Sequence, residues 1–307
     1  MLTYTADNLL ALRHSRPPAR PVRKAIFSAH QWQPQLARQS RDRLFVNKRS
    51  ADCDRRLRIG WLNVRSLANK TTAVQEIIAE KDLDILALTE TWHHDSRDIS
   101  LRQAAPSYYS VVDAVWESQP GYGGIAVLYS GLLRSWTVNL PLTTTFECLC
   151  TRFKVGCSCW LLLTIYRPGS CQPTVAFFDK LSTVLETLVT YGCPVIIGGD
   201  INIHVEDPSD ANASCLLELL LFMDLQQHVV SPTHQAGGTL DLVITFSDFD
   251  VDELNVEPPG VLSDHSLITC SFPLRRVAPL CFSRRIRSWK TIDRVALRQE
   301  IADSPLG

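Results

Sequence analysis

Two hydrophobic periods alternate along the chain. "LRIGWLNV", residues 57–64, is an apolar run of strand length, whereas from Leu67 to Lys81 the spacing lengthens and puts Val74, Ile77 and Ile78 on one side of a helix. "LDILALTE", 83–90, is again a strand, and it ends in an acid. Strand patterns follow at about 109–115, 124–130, 133–139, 146–155 and 159–166. A second unit then predicts a helix over 174–190, a strand over 194–200 and a helix over 213–224. Strands at about 227–231, 239–246 and 266–272 complete the body, and 289–303 predicts one amphipathic helix. "GYGG", 121–124, reads as a turn, because it lacks the strand-to-helix context of a phosphate-cradling loop. Two strand–helix–strand blocks with meandering strands between them predict an α/β fold. Its expected form is a four-layer α/β sandwich, two packed mixed sheets flanked by helices.

Outside this body the pattern stops. Residues 1–56, with "RHSRPPARPVRK", have no apolar period and predict a basic, disordered arm before a folded domain at 57–273, with 274–307 as a basic tail. Net charge is −1, yet residues 1–58 hold 13 Lys/Arg against 4 Asp/Glu, 59–274 hold 10 against 25, and 275–307 hold 8 against 3. Basic arms commonly serve nucleic acid. An acidic body opposes that unless some of its carboxylates gather round a metal; for most of them a solvated surface is sufficient explanation. No apolar run approaches the roughly 18 residues of a membrane span. The longest candidate, Cys215 to Leu225, is broken by Glu218 and Asp224 and reads as a buried helix. No secretory pattern opens the chain, so a nuclear or cytoplasmic location without a membrane is expected, although an Arg-rich, acid-poor start is also what a mitochondrial presequence has. Ten cysteines in so long a chain read as reduced thiols. Cys148, Cys150, Cys157 and Cys159 form two C-x-C pairs, but on strands these put sulfurs on apolar faces, so buried thiols explain them better than zinc.

The candidate chemistry sits at strand ends. In "PVIIGGDINIHVED" the run Val195-Ile196-Ile197 leads to Asp200, with Asn202 two places on and so expected on the same face. Glu90 ends "DILALTE", Asn63 nearly ends "RIGWLN" and Tyr166 ends "WLLLTIY". Asp241 opens "LDLVITF", and Asp264-His265 opens "LSDHSLITCSF". A carboxylate buried there costs several kcal/mol unless it is paired or metal-bound, and strand ends are where rigid scaffolds hold catalytic groups. Each residue alone has an ordinary structural explanation; the set does not.

The ordered set "LNVRSL", "ALTETW", "TIYRPG", "GGDIN", "TLDLVIT" and "SDHSLI" resembles the endonuclease/exonuclease/phosphatase superfamily, whose fold is DNase I-like, over residues 57–273. Within it the chain most resembles the apurinic-like endonuclease domain of LINE-type (non-LTR) retrotransposons. The resemblance implies a Mg²⁺-dependent DNA endonuclease, with Mn²⁺ as a possible substitute. It makes Glu90 the main metal ligand, with Asn63 beside it and Asp264 near. Asp200 would orient or deprotonate the attacking water, Asn202 and Tyr166 would hold the phosphate, and His265, oriented by Asp241, would donate to it. Gly198-Gly199 would let the phosphodiester approach closely. Where the apurinic pattern has a second acid after "NV", this chain has Arg65, expected on the strand face of Asn63 and within reach of the substrate phosphate. DNA is the expected partner. Other outcomes are an inositol-lipid or sphingomyelin-type phosphatase of the same fold, or an inactive retroelement remnant; a serine hydrolase is disfavoured, for there is no G-x-S-x-G. A complete element would need a reverse transcriptase, which the 307 residues do not contain, so a fragment or truncated copy is expected.

Overall fold

The computed structural model describes residues 56–116, 121–155, 158–260, 262–274 and 294–303. The basic arm expected over 1–56 lies outside them except for Arg56, as does the tail between Leu274 and Arg294.

The elements run β1 (Arg56–Asn63), α1 (Thr71–Glu80), β2 (Ile85–Thr89), α2 (Ile99–Ala104), β3 (Tyr109–Ala114), β4 (Ile125–Ser130), β5 (Arg134–Val138), β6 (Glu147–Val155), β7 (Ser158–Tyr166), α3 (Val175–Val189), β8 (Val195–Asp200), α4 (Ala211–Phe222), β9 (Leu225–Gln227), β10 (Asp241–Phe246), β11 (Asp252–Val256), β12 (Ile268–Pro273) and α5 (Arg294–Ala302). The described strands form two six-stranded sheets, in the orders β11-β12-β1-β2-β4-β3 and β5-β6-β7-β8-β10-β9. Among the described residues only β1–β2 and β7–β8 are parallel pairs, the helical crossover each requires being supplied by α1 and α3. Three apolar cores separate four layers. Trp61, Phe153, Trp160, Ile196 and Phe272 fill the space between the sheets. Phe177, Leu181, Leu216 and Leu220 seat α3 and α4 on the second sheet, and Val74, Ile78, Leu86 and Leu101 seat α1 and α2 on the first. Truncating any one of the large side chains in such a core costs about 3–5 kcal/mol.

Several boundaries differ from the sequence expectation, each for a local reason. Helix α1 starts at Thr71, not Leu67, because Arg65, Ser66 and Asn69 take positive φ (43°, 74°, 61°) and wind the chain into a turn first. Strand β9 is Leu225–Gln227 rather than 227–231. The α2 helix and the edge strand β11 carry no clear period and were not expected. Gly198 and Gly199 face the interior: a Cβ on Gly198 would stand 2.3 Å from Trp61 Nε1, and one on Gly199 (φ 127°) would stand 2.1 Å from the Ile165 carbonyl. The glycines therefore serve sheet packing, not access of a substrate. Cys150 is buried, with Cys148 and Cys159 partly so, and all three are free thiols. Burial pushes Cys148 up to about 11 and Cys150 to about 12, so both stay protonated. Cys157 lies outside the described residues.

Candidate active site

The parallel pairs bring the ends of β1, β2, β7 and β8 to one edge of the sandwich, where β10 and the segment before β12 begin. One register row crosses the second sheet: Glu147 opposes Tyr166, Tyr166 opposes Asp200, and Asp200 opposes Asp241. Asn63 and Glu90 from the first sheet meet this row. The amide nitrogen of Asn63 donates to Glu90 Oε1 and to Asp200 Oδ2, both at 2.9 Å, and so joins the two sheets through their carboxylates.

Asp200 is fully buried. Burial, then the charge of Asp241, holds its carboxyl well above the usual range, with Glu90 adding to this while His265 and Asn63 oppose it. Strand β8 ends at Asp200, so the alternation expected to align Asn202 no longer applies. Asn202 (φ 54°) turns back instead, donating from its backbone to Asp200 Oδ1 (3.0 Å) and from its amide to Asp200 Oδ2 (2.7 Å) and Arg167 O (2.8 Å). Both amide protons of Asn202 are thus directed within the protein. His265 Nδ1 lies 2.8 Å from Asp241 Oδ2, and its Nε2 lies 3.9 Å from Asp200 Oδ2. Burial lowers the imidazole, but the hydrogen bond and charge of Asp241, with the charges of Asp200 and Asp264, raise it to about 9. Asp241, His265 and Asp200 thus form a buried line with a proton-rich imidazole at its centre.

Glu90 lies one residue past the end of β2, at φ 51°. The Tyr166 hydroxyl is hydrogen-bonded to it, and burial followed by the charge of Glu90 raises the phenol's pKa. Glu147 was not singled out in the sequence. Its carboxylate takes the Gly124 N–H at 2.9 Å, and burial pushes it up to about 8 against that hydrogen bond, with the Glu90 charge adding to the rise.

Arg65 is not on the strand. It follows Asn63 in the turn, donates its N–H to Asn63 Oδ1 (3.1 Å), and its guanidinium pairs with Asp264 Oδ2. Lys70 Nζ clamps the turn through the carbonyls of Val64 (2.7 Å) and Arg65 (3.0 Å). Burial raises Asp264, yet its backbone hydrogen bond and the charges of Arg65, His265 and His234 leave it lowered overall. His234, also unforeseen, places Nε2 at 3.4 Å from Asp264 Oδ2 while its Nδ1 accepts from Ala236 N–H (3.1 Å). That tautomer puts the ring proton on Nε2, toward Asp264, so His234 is a donor there and not a metal ligand. Arg167, 3% exposed, donates to the carbonyls of Ile201 (2.7 Å), Pro168 (2.9 Å), Cys171 (2.6 Å) and Asn202. It is a buried cation that staples the loop behind Asp200 and Asn202.

The donors suit a hard divalent cation. Glu90 offers a partly exposed carboxylate, and Asp264 Oδ1 is a buried oxygen without a hydrogen-bond partner. Glu90, Asp200 and Glu147 crowd so closely that Glu90 contributes to raising the other two, a repulsion that a bound cation relieves.

A family model for the Endonuclease/Exonuclease/phosphatase family matches residues 60–265, and the chain belongs to that family. A comparison with curated protein sequences found no match. Among solved structures, the AP endonuclease LMAP from Leishmania major aligns with a TM-score of 0.59 and 15% identity, over 89% of this chain and 100% of that one. The endonuclease domain of TRAS1, a telomere-specific non-LTR retrotransposon, aligns at 0.57 and 17%, over 72% and 100%. An AP endonuclease from Archaeoglobus fulgidus aligns at 0.56 and 16%, over 70% and 99%. At these identities the likeness establishes the shared DNase I-like fold.

Proposed function

We propose that the chain is a divalent-metal-dependent phosphodiesterase that nicks DNA, as the endonuclease of a non-LTR retrotransposon. The observation that carries this reading is the buried Asp241–His265–Asp200 line, joined through Asn63 to Glu90. Glu90, supported by Asn63 and with the unpartnered Asp264 Oδ1 as a second oxygen donor, would hold Mg²⁺, or Mn²⁺ in its place. The ion would supply Lewis acidity at a phosphate oxygen. Asp200, a base strengthened by burial, takes a proton from water as the water oxygen bonds to phosphorus. His265, protonated at neutral pH, donates to a non-bridging oxygen as negative charge accumulates there, and Asp241 holds the ring's orientation and stabilises its charge. Tyr166 donates at the same face, and the phosphorus–oxygen bond to the leaving strand breaks, its oxygen leaving as an alkoxide that takes a proton from solvent, to give a nick. Asn202 keeps Asp200 aimed. The likeness to the endonuclease domain of the TRAS1 retrotransposon and the basic arms favour DNA as the substrate and a retroelement as the setting.

Supercoiled plasmid should become open circles with Mg²⁺ and stay intact with EDTA. Glu90→Ala, Asp200→Ala and His265→Ala should each lose on the order of a hundredfold or more. Nicking by Asp200→Ala at the parental rate would end this reading.

A further inference from the structure

The "GYGG" turn forms a wall of the site. Thr91 N–H donates to Gly124 O (3.2 Å) and Trp92 N–H to Gly123 O (2.8 Å), while Gly124 N–H holds the Glu147 carboxylate. A Cβ on Gly123 would meet Glu147 Oε1 at 2.1 Å, and one on Gly124 would meet Thr91 Oγ1 at 2.7 Å. The turn is therefore locked against the Glu90 loop, and what it turns outward is Tyr122. Tyr122 is 65% exposed, and its ring lies 6.1 Å, centre to centre and tilted by 52°, from Trp92. Trp92 follows Glu90 by two residues and is itself held at φ 56°. Two aromatic rings thus stand on rigid backbone at the rim of the carboxylate cluster. Rings of this size ordinarily gain by burial, so an exposed tyrosine beside a half-buried tryptophan on a fixed frame points to a flat apolar ligand.

The charge of the body narrows the choice. Residues 59–274 hold 25 acids against 10 basic residues, so a polyanion near the site needs contacts that do not depend on phosphate charge. The faces of nucleobases offer them.

We infer that Tyr122 and Trp92 form a base-stacking subsite for a nucleotide beside the scissile phosphate, so that DNA unpaired at that step is bound in preference to continuous duplex. The inference rests on the DNA-cutting reading above and adds the form of DNA that fits.

The test uses the full chain with fluorescein-labelled DNA, single-stranded and as the matching duplex, in Ca²⁺ across a salt series. The parent should favour the single strand. Tyr122→Ala should weaken that binding on the order of 5- to 150-fold, the range for a lost base stack, while Tyr122→Phe stays near the parent. The slope of log affinity against log salt should not change, because no phosphate contact is removed. In nicking assays Tyr122→Ala should raise KM and leave kcat alone. Since Tyr122 is exposed, the variant should melt as the parent does. Parental binding by Tyr122→Ala, failure of Tyr122→Phe to restore binding, or a slope reduced by about 0.9, the mark of one lost phosphate contact, would overturn the subsite. A parent that binds single strands through Tyr122 but nicks no DNA overturns the nuclease reading and leaves the subsite standing. A parent that nicks, with Tyr122→Ala unaltered in KM, does the reverse.

Discussion

Glu147→Gln should make the metal-free protein more stable at alkaline pH, even though it removes a charge from a site built on carboxylates. The ordinary carboxyl titrates at 4.5, and in the native protein Glu147 titrates at about 8, chiefly because it is buried. Below pH 4.5 the native and unfolded forms both carry the proton, and the parent loses nothing. Between 4.5 and 8 the unfolded chain has released a proton that the native protein retains, so stability falls as pH rises. Above 8 the loss is complete. At 1.36 kcal/mol for each pH unit between the two values, it levels off at about 5 kcal/mol. Only 6% of Glu147 is exposed, so solvent screening does little to reduce this. A glutamine keeps a carbonyl oxygen for Gly124 N–H and stays neutral throughout, as the protonated acid does. Urea unfolding in EDTA at pH 5, 7 and 8.5 should show the variant near the parent at pH 5 and gaining steadily above it, by an amount comparable with the whole stability of a modest domain. Parallel pH profiles, within about 1 kcal/mol, would refute the buried-carboxyl argument.

Arg167→Met should cost on the order of 3 kcal/mol, since it strips charged hydrogen bonds from four backbone carbonyls around a buried guanidinium, and it should slow nicking by loosening the Asp200–Asn202 loop; chemical denaturation and single-turnover nicking check both. Arg65→Asp should shift the Mg²⁺ titration of activity while changing stability by at most about 1 kcal/mol, because the ion pair it breaks is largely exposed on the arginine side; an unchanged Mg²⁺ midpoint together with unchanged DNA affinity would contradict it. Removing residues 1–55 should weaken DNA binding and flatten its salt dependence by about 3 in log K against log salt if three or four arm cations engage phosphates, with turnover at saturating DNA nearly normal; anisotropy across a salt series reads this, and parallel plots would make the arm a passive tail.

What could be read from the sequence follows the range of the physics behind each feature. Strands buried on both faces, such as β7 and β8, stand out as apolar runs, and α1 and α3 stand out by their period. Helix α2 was invisible because six residues with Leu101 and Ala104 turned inward make no pattern, and β11 because an edge strand spelled "DELNV" looks like an acidic loop. The site residues at strand ends were visible because polarity there breaks an apolar run. Glu147 was not, because it opens its strand in an ordinary way and acquires meaning only once the register sets it opposite Tyr166. Arg167 precedes a proline and His234 lies in a loop, positions that carry no pattern of their own. Their partners are fixed by the folded loops around them, which no local spacing encodes. Gly198 and Gly199 matter for their lack of a side chain, but the pressure on them comes from Trp61 and Ile165 within the core.

The pairing of β1 with β12 has a consequence for synthesis. The first strand of the domain takes its antiparallel neighbour from the last, Arg56 opposite Pro273, and the turn after β1 meets Asp264 through Arg65. A nascent chain therefore carries Asn63 and Glu90 early but cannot complete the first sheet, or place His265, until the end of the domain has left the ribosome. Contacts of such long range close slowly, and the domain folds as a unit. Under the function proposed above, cutting would switch on only when the whole domain has been made, and chains released early would be harmless to DNA.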